Sequence, residues 1–81
     1  MREGLLWYDA DRRRPTLQKI DDAARRYRER FGRAPNCCHV HPSEWVAHPV
    51  LEVVADATIL PHHFWVGVDE SRPARQDAEV A

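Results

Sequence analysis

The side chains best suited to metal binding or catalysis are crowded into one stretch of this chain. All five histidines and both cysteines fall within residues 37–63. The stretch opens with Cys37, Cys38, His39, Val40 and His41, and a strand there would place alternate side chains on one face. Thiolate and imidazole groups suit Zn²⁺. The sequence therefore predicts, as one alternative, a zinc-binding module that uses Cys37, His39 and His41, completed by His62 or His63.

The spacing of these residues is not diagnostic of zinc, because the sequence contains neither a C-x₂-C pair nor an H-x₃₋₅-H pair. The competing interpretation is that Cys38 and Val40 pack in the core, while His39 and His41 lie on a less buried face. We expect no bound cofactor on this interpretation, and zinc is kept as the alternative.

Nucleophilic catalysis would require Cys37 or Ser43 beside a histidine such as His39, His41 or His48. No nucleophile elbow, Gly-rich oxyanion turn or orienting acid accompanies these residues in the sequence. A chain of 81 residues also leaves little room for a substrate pocket. No phosphate-binding glycine motif occurs either. We therefore predict no catalytic residues and favour a protein that is not an enzyme.

Basic residues form the other chemically suggestive group. Residues 12–33 hold nine Lys or Arg against three acids, although the whole chain has a net charge of −1. A basic helix could lie along phosphates. Its outward face also holds Asp22 and Glu29, and a pI near 6.5 is unusual for a nucleic-acid-binding domain. Nucleic-acid binding is a second alternative, and its candidate residues are Arg12, Arg13, Arg14, Arg26, Arg30 and Arg33.

The basic region coincides with a predicted helix over residues 15–31. Apolar residues recur there at spacings of three and four, which is typical of a helix with one buried side. Pro15 favours a first helical turn, Gly32 a left-handed cap, and Pro35 bars continuation. The predicted apolar stripe consists of Leu17, Ile20, Ala24, Tyr27 and Phe31.

Short apolar runs on either side of this helix predict strands. They cover residues 5–8, 37–41 and 64–68, with a possible further strand at 50–55 and a short capped turn from Ser43. The strand–helix–strand order predicts a parallel, adjacent first pair. The predicted fold is a two-layer α+β or α/β domain, in which one amphipathic helix packs on a small mixed sheet in the order β-α-β-(short α)-β-β.

One helix covers one face of such a sheet, which leaves aromatic side chains without cover. Trp65, and either Trp7 or Tyr8, would point away from the helix. We predict an interface that includes Trp7, Trp45 and Trp65. The leading functional hypothesis is a non-catalytic domain that self-associates as a homodimer or binds a protein partner through its uncovered sheet face or edge.

Length and composition set the broad class of protein. The chain is predicted to form a single small domain over residues 1–69, followed by a flexible polar tail over 70–81. The longest apolar run, at residues 5–8, has four residues, so we expect no membrane span. Two adjacent cysteines and the lack of a secretory leader favour the cytoplasm.

Overall fold

The computed structural model describes residues 4–70. It contains one helix, one short 3₁₀ turn and four strands. Their order along the chain is β1 (Gly4–Tyr8), α1 (Thr16–Phe31), β2 (Cys37–Val40), the 3₁₀ turn (Pro42–Glu44), β3 (Glu52–Ala55) and β4 (His63–Gly67). The predicted tail falls mostly outside the described residues.

The four strands form one mixed sheet in the order β1-β4-β2-β3. β4 is antiparallel to both β1 and β2, and β3 is parallel to β2. The predicted fold class, one helix on a small mixed sheet, is confirmed. The expectation that β1 and β2 are adjacent is wrong, because the chain returns β4 between them. β4 therefore lies inside the sheet, and its helix-facing side chains Phe64 and Val66 have 0% exposure.

The strand register sorts the side chains onto two faces. Two rows that cross all four strands face the helix, namely Leu5, Val66, Cys38 and Val53, and Trp7, Phe64, Val40 and Ala55. All of these except Ala55 belong to the core or pack against it. The predicted burial of Cys38 and Val40 in the core is therefore confirmed.

α1 lies on this face, but its buried side is rotated slightly from the predicted stripe. Ile20, Ala23 and Tyr27 are buried, whereas Leu17 is 39% exposed. Lys19 is only 4% exposed. A lysine can be buried here because its four-carbon stem packs like an apolar side chain while its ammonium group reaches towards water. A prediction of the buried side of α1 that counts only apolar residues cannot include Lys19.

Local interactions fix where α1 begins and ends. Arg14 bonds the carboxylates of Asp9 and Asp22, which ties the end of β1 to the first half of the helix. At the other end Gly32 adopts a left-handed conformation with φ of 75° and donates its N–H to the Arg28 carbonyl at 2.9 Å. Glycine adopts this conformation without a steric penalty.

The segment between β2 and β3 completes the layer that covers the helix side of the sheet. Leu51 belongs to the core and Val46 packs against it. His48 holds this segment in place, since its Nδ1 accepts hydrogen bonds from the N–H groups of Val50 and Leu51, both at 3.0 Å. Its Nε2 contacts Asp21 on α1 at 2.6 Å.

Within the described part of the chain, α1 falls short of what a membrane-crossing helix needs in length and apolar character.

The contrast between Ile20 and Leu17 gives a direct test of this packing. Ile20→Ala removes a side chain with 0% exposure and is expected to lower the free energy of unfolding by about 2–5 kcal/mol. Leu17→Ala, three residues earlier on the same helix, should change it by about 0.5 kcal/mol or less. Urea unfolding followed by tryptophan fluorescence measures both. Equal losses in the two variants would contradict the observed rotation of α1.

Candidate functional site

The face of the sheet that points away from α1 is called here the open face. A central row of side chains on this face crosses all four strands. A neighbouring row has one side chain on β1 and one on β4. The open face includes Leu6, Trp65, His39, Val54, Tyr8 and His63. No helix or strand among residues 4–70 covers it.

An apolar patch lies at the β1 side of the open face. Leu6 is 53% exposed, Tyr8 62% and Leu60 66%. Leu6 and Leu60 line a cavity of about 190 Å³ together with Thr58, Ile59 and His63. Leu6 and Leu60 are therefore neighbours, and Tyr8 adjoins them through the His63 ring, with 4.9 Å between the two ring centroids.

A tight turn before β4 shapes one wall of this patch. Pro61 and His62 occupy its centre, and the His63 N–H donates to the Leu60 carbonyl at 3.2 Å. His62 has a φ of 68°, which is uncommon for a residue with a side chain. Glu44 stabilises this conformation, because its carboxylate accepts the His62 N–H at 2.6 Å and lies 3.4 Å from the His62 ring.

β1 forms one outer edge of the sheet. The Asp9 N–H donates to the His62 carbonyl at 3.0 Å, in register with the ladder between β1 and β4. Bonded and non-bonded pairs alternate in an antiparallel ladder. Leu5 and Trp7 therefore direct their backbone groups towards β4, whereas the backbone N–H and C=O groups of residues 4, 6 and 8 point outwards along the edge.

The other outer edge, β3, is protected differently. The Trp45 indole N–H donates to the Val53 carbonyl at 2.9 Å. Trp45 is nevertheless 51% exposed, so its ring lies along the edge strand instead of inside the core. This contact occupies a backbone acceptor and places a bulky side chain beside the strand. Both effects obstruct pairing with another chain.

The structure does not bring Trp7, Trp45 and Trp65 onto one surface. Trp7 packs against the core on the helix side, Trp45 lies beside β3, and Trp65 lies on the open face. The exposed apolar residues that sequence reasoning left out of the interface are Leu6, Tyr8 and Leu60. Strict alternation along β1 identifies the first two, since they fall on the face opposite Trp7.

His39 and Asp56 form a hydrogen-bonded pair on the open face. His39 Nδ1 lies 3.0 Å from Asp56 Oδ2. Thr58 donates to the other carboxylate oxygen from its hydroxyl at 2.6 Å and from its N–H at 2.9 Å. Hydrogen bonds from Thr58, and then from His39, lower the pKa of Asp56 to about 2. Asp56 is thus an orienting acid that the sequence pattern did not reveal, because it lies 17 residues from His39.

This pair has only part of a catalytic arrangement. An ionised Asp56 holds the Nδ1 proton of His39 and leaves Nε2 as the basic nitrogen. The Thr58 hydroxyl donates to Asp56 itself and is not positioned as a nucleophile. Among the described residues, no hydroxyl or thiol is hydrogen-bonded to His39 Nε2. What the arrangement does is fix the orientation of the ring.

The five residues of the zinc hypothesis have separate surroundings. The Cys37 thiol is buried near the Gly67 carbonyl, at 3.7 Å, and His39 contacts Asp56. The remaining three, His41, His62 and His63, contact Ser43, Glu44 and the Pro61 carbonyl respectively. Within residues 4–70, no three His, Cys, Asp or Glu side chains are grouped so that they could hold a metal ion.

The arginines of the nucleic-acid hypothesis divide into two groups. Arg12, Arg13 and Arg14 precede α1, and Arg26, Arg30 and Arg33 lie in or after its second half. α1 has 16 residues and is therefore about 24 Å long. Three of the six arginines form ion pairs. Arg13 pairs with Asp11, and Arg26 pairs with Glu29. Arg14 pairs with both Asp9 and Asp22. Half of the predicted positive charge is therefore already paired.

A second cavity, of about 450 Å³, separates α1 from the segment before β3. Asp21, Ala24 and Arg28 line its helix side, and Pro35, His48 and Leu51 line the other. The His48 side chain is 5% exposed and uses both ring nitrogens to join the two walls. This histidine thus supports the fold.

The depressed pKa of Asp56 predicts a pH-dependent stability. A carboxylate with a folded-state pKa of about 2, below its ordinary value of 3.8, stabilises the fold above a pH of about 4. That contribution is lost as the pH falls from about 4 to 2. Urea unfolding of the wild type and Asp56→Asn should therefore show a stability difference at neutral pH that shrinks in this window. A difference independent of pH would contradict the assignment.

The two cysteines are expected to resist modification in the folded protein. Burial raises the pKa of Cys38 to about 12, and both side chains have 0% exposure. Since the thiolate is the reactive form, a disulfide reagent such as DTNB should label neither cysteine until the protein is unfolded in guanidinium. The unfolded sample, which should react with two equivalents, is the control. Rapid labelling of one cysteine in the native protein would be the contrary result.

No family model matches this chain, and comparisons with curated proteins and with solved structures also found no match.

Proposed function

We propose that this chain is a non-catalytic protein-interaction domain that binds an extended strand of another polypeptide along β1. In this mode, known as β-augmentation, backbone hydrogen bonds provide affinity and neighbouring side-chain contacts provide specificity. The open-face patch beside β1 supplies the apolar contacts.

The observation that carries the proposal is the contrast between the two edges of the sheet. Proteins that stay monomeric blunt their edge strands with charge, proline, bulges or a covering side chain. β3 has such a cover in Trp45. β1 reads Gly-Leu-Leu-Trp-Tyr, without a charge or a proline. Its outward backbone groups and its exposed Leu6 and Tyr8 are therefore suited to receiving a strand.

The two alternatives remain predictions without a supporting contact. A zinc-binding module would need ligands that lie together, and metal analysis of untagged protein tests it. Nucleic-acid binding would need positive charge on one surface, and a titration at two salt concentrations tests it, because phosphate contacts weaken steeply with salt. We also infer a cytoplasmic location, since Cys37 and Cys38 are free thiols, which fits a reducing compartment.

Site-specific photocrosslinking tests the proposed function in the cells that produce the protein. Replacing Leu6 by the photoreactive p-benzoylphenylalanine places a crosslinker on the exposed side of β1. We expect ultraviolet light to yield an adduct with a polypeptide, because a bound strand would lie within reach of this side chain.

The matched control carries the same crosslinker at Leu17, which is also partly exposed but lies on α1. It should give no specific adduct. The proposal fails if position 6 yields no adduct with any polypeptide, or if both positions yield the same products.

A further inference from the structure

We infer that the strand received by β1 is β1 of a second copy of this chain, in an antiparallel pairing with Leu6 on the two-fold axis. This inference rests on the proposed function and names its partner. The resulting dimer would join two four-stranded sheets into one eight-stranded sheet.

The backbone of β1 is self-complementary in this register. β1 has five residues, Gly4–Tyr8, and Leu6 is the central one. The residues with outward backbone groups are Gly4, Leu6 and Tyr8, as the ladder with β4 requires. A two-fold axis at Leu6 places the outward backbone groups of Leu6 opposite those of Leu6 in the second copy. It places the outward groups of Gly4 opposite those of Tyr8 in the second copy. All six N–H and C=O groups of each copy then meet a partner.

The side chains on the open face are compatible with the same register. Gly4 has no side chain, and the Trp65 ring lies over it, since a Cβ built there would be 3.2 Å from two ring atoms. Tyr8 of the second copy would lie opposite Gly4, next to this ring. A large aromatic residue opposite a glycine is a recurrent way to complete an edge strand. Leu6 would meet its own copy on the axis and lose its exposure.

Within β1 itself, no charge opposes the pairing. β1 itself is uncharged, and the first described acid after it, Asp9, is held by Arg14 at 2.8 Å with only 11% of its side chain exposed. Like charges directly opposite each other destabilise a pair of strands. Among the described residues of the strand no such charge is present.

Sedimentation equilibrium of the purified full chain tests the inference. We expect a reversible shift from 9.4 kDa to twice that mass, with a dissociation constant on the order of 10 µM, because a single short strand pair is smaller than a standard interface. Leu6→Lys and Leu6→Glu should each weaken dimerisation by at least about tenfold, since each places like charges on the axis. Val50→Lys, which alters a residue of similar partial exposure outside β1, should dimerise like the wild type.

The register is tested by mixing the two charged variants. If residue 6 faces itself across the axis, Leu6→Lys and Leu6→Glu together should associate more strongly than either does alone. In the wild-type dimer the amides of Leu6 and Tyr8 should also be protected from hydrogen exchange. The pairing would be overturned if the mixture associated no more strongly than each variant alone, or if the amides of Leu6 and Tyr8 were unprotected in a dimer.

The inference and the proposed function can fail separately. A wild-type protein that stays monomeric up to about 1 mM, far above the expected dissociation constant, overturns the homodimer. If photocrosslinking at position 6 then captures a different polypeptide, the proposed interaction function stands with another partner. If it captures none, both are overturned.

Discussion

The packing of α1 against one face of the sheet determines what the rest of the molecule can do. Ile20, Ala23 and Tyr27 meet Phe64, Val66 and their neighbours in a single core. An α-helix is about 10 Å wide, whereas the outer strands of a four-stranded sheet lie about 14 Å apart. α1 contacts β1 and β4, and the segment before β3 covers the remainder through Val46 and Leu51. All of this cover lies on one face, and within residues 4–70 no helix or strand covers the open face.

The sequence predicts the elements of the fold better than their arrangement. Periodicity reports which side of an element is buried, and it therefore identified α1, β1, β2 and β4 with small errors at their ends. Strand order depends on pairing between segments far apart in the chain, such as β1 with β4, and periodicity within one segment does not report that. The sequence pattern placed Leu17 on the buried side of α1, whereas the structure places Lys19 there, and this error has a related cause. A lysine stem contributes apolar area that a count of apolar residues overlooks.

The candidate site was partly predictable for the same reason. A surplus of aromatic side chains for a single helix to cover led to the prediction of a second, less covered face, and Trp65 does lie on the face that points away from α1. Choosing tryptophans by residue type grouped Trp7, Trp45 and Trp65, which the strand register and the β3 edge separate. Alternation along β1 selects Leu6 and Tyr8 instead. The pairing of His39 with Asp56 depends on the end of β3 lying beside β2, which no spacing in the sequence conveys.

The difference between the two sheet edges limits the size of the proposed assembly. Both edges belong to the same sheet, and an unprotected edge on each side would allow open-ended assembly of many copies. Trp45 obstructs β3 through the Val53 carbonyl, which leaves β1 as the single receptive edge among the described residues. A single receptive edge can accept one strand and then has no further capacity. The proposed pairing of two β1 strands is therefore a closed complex of two chains, whereas a growing fibre would need both edges to be free.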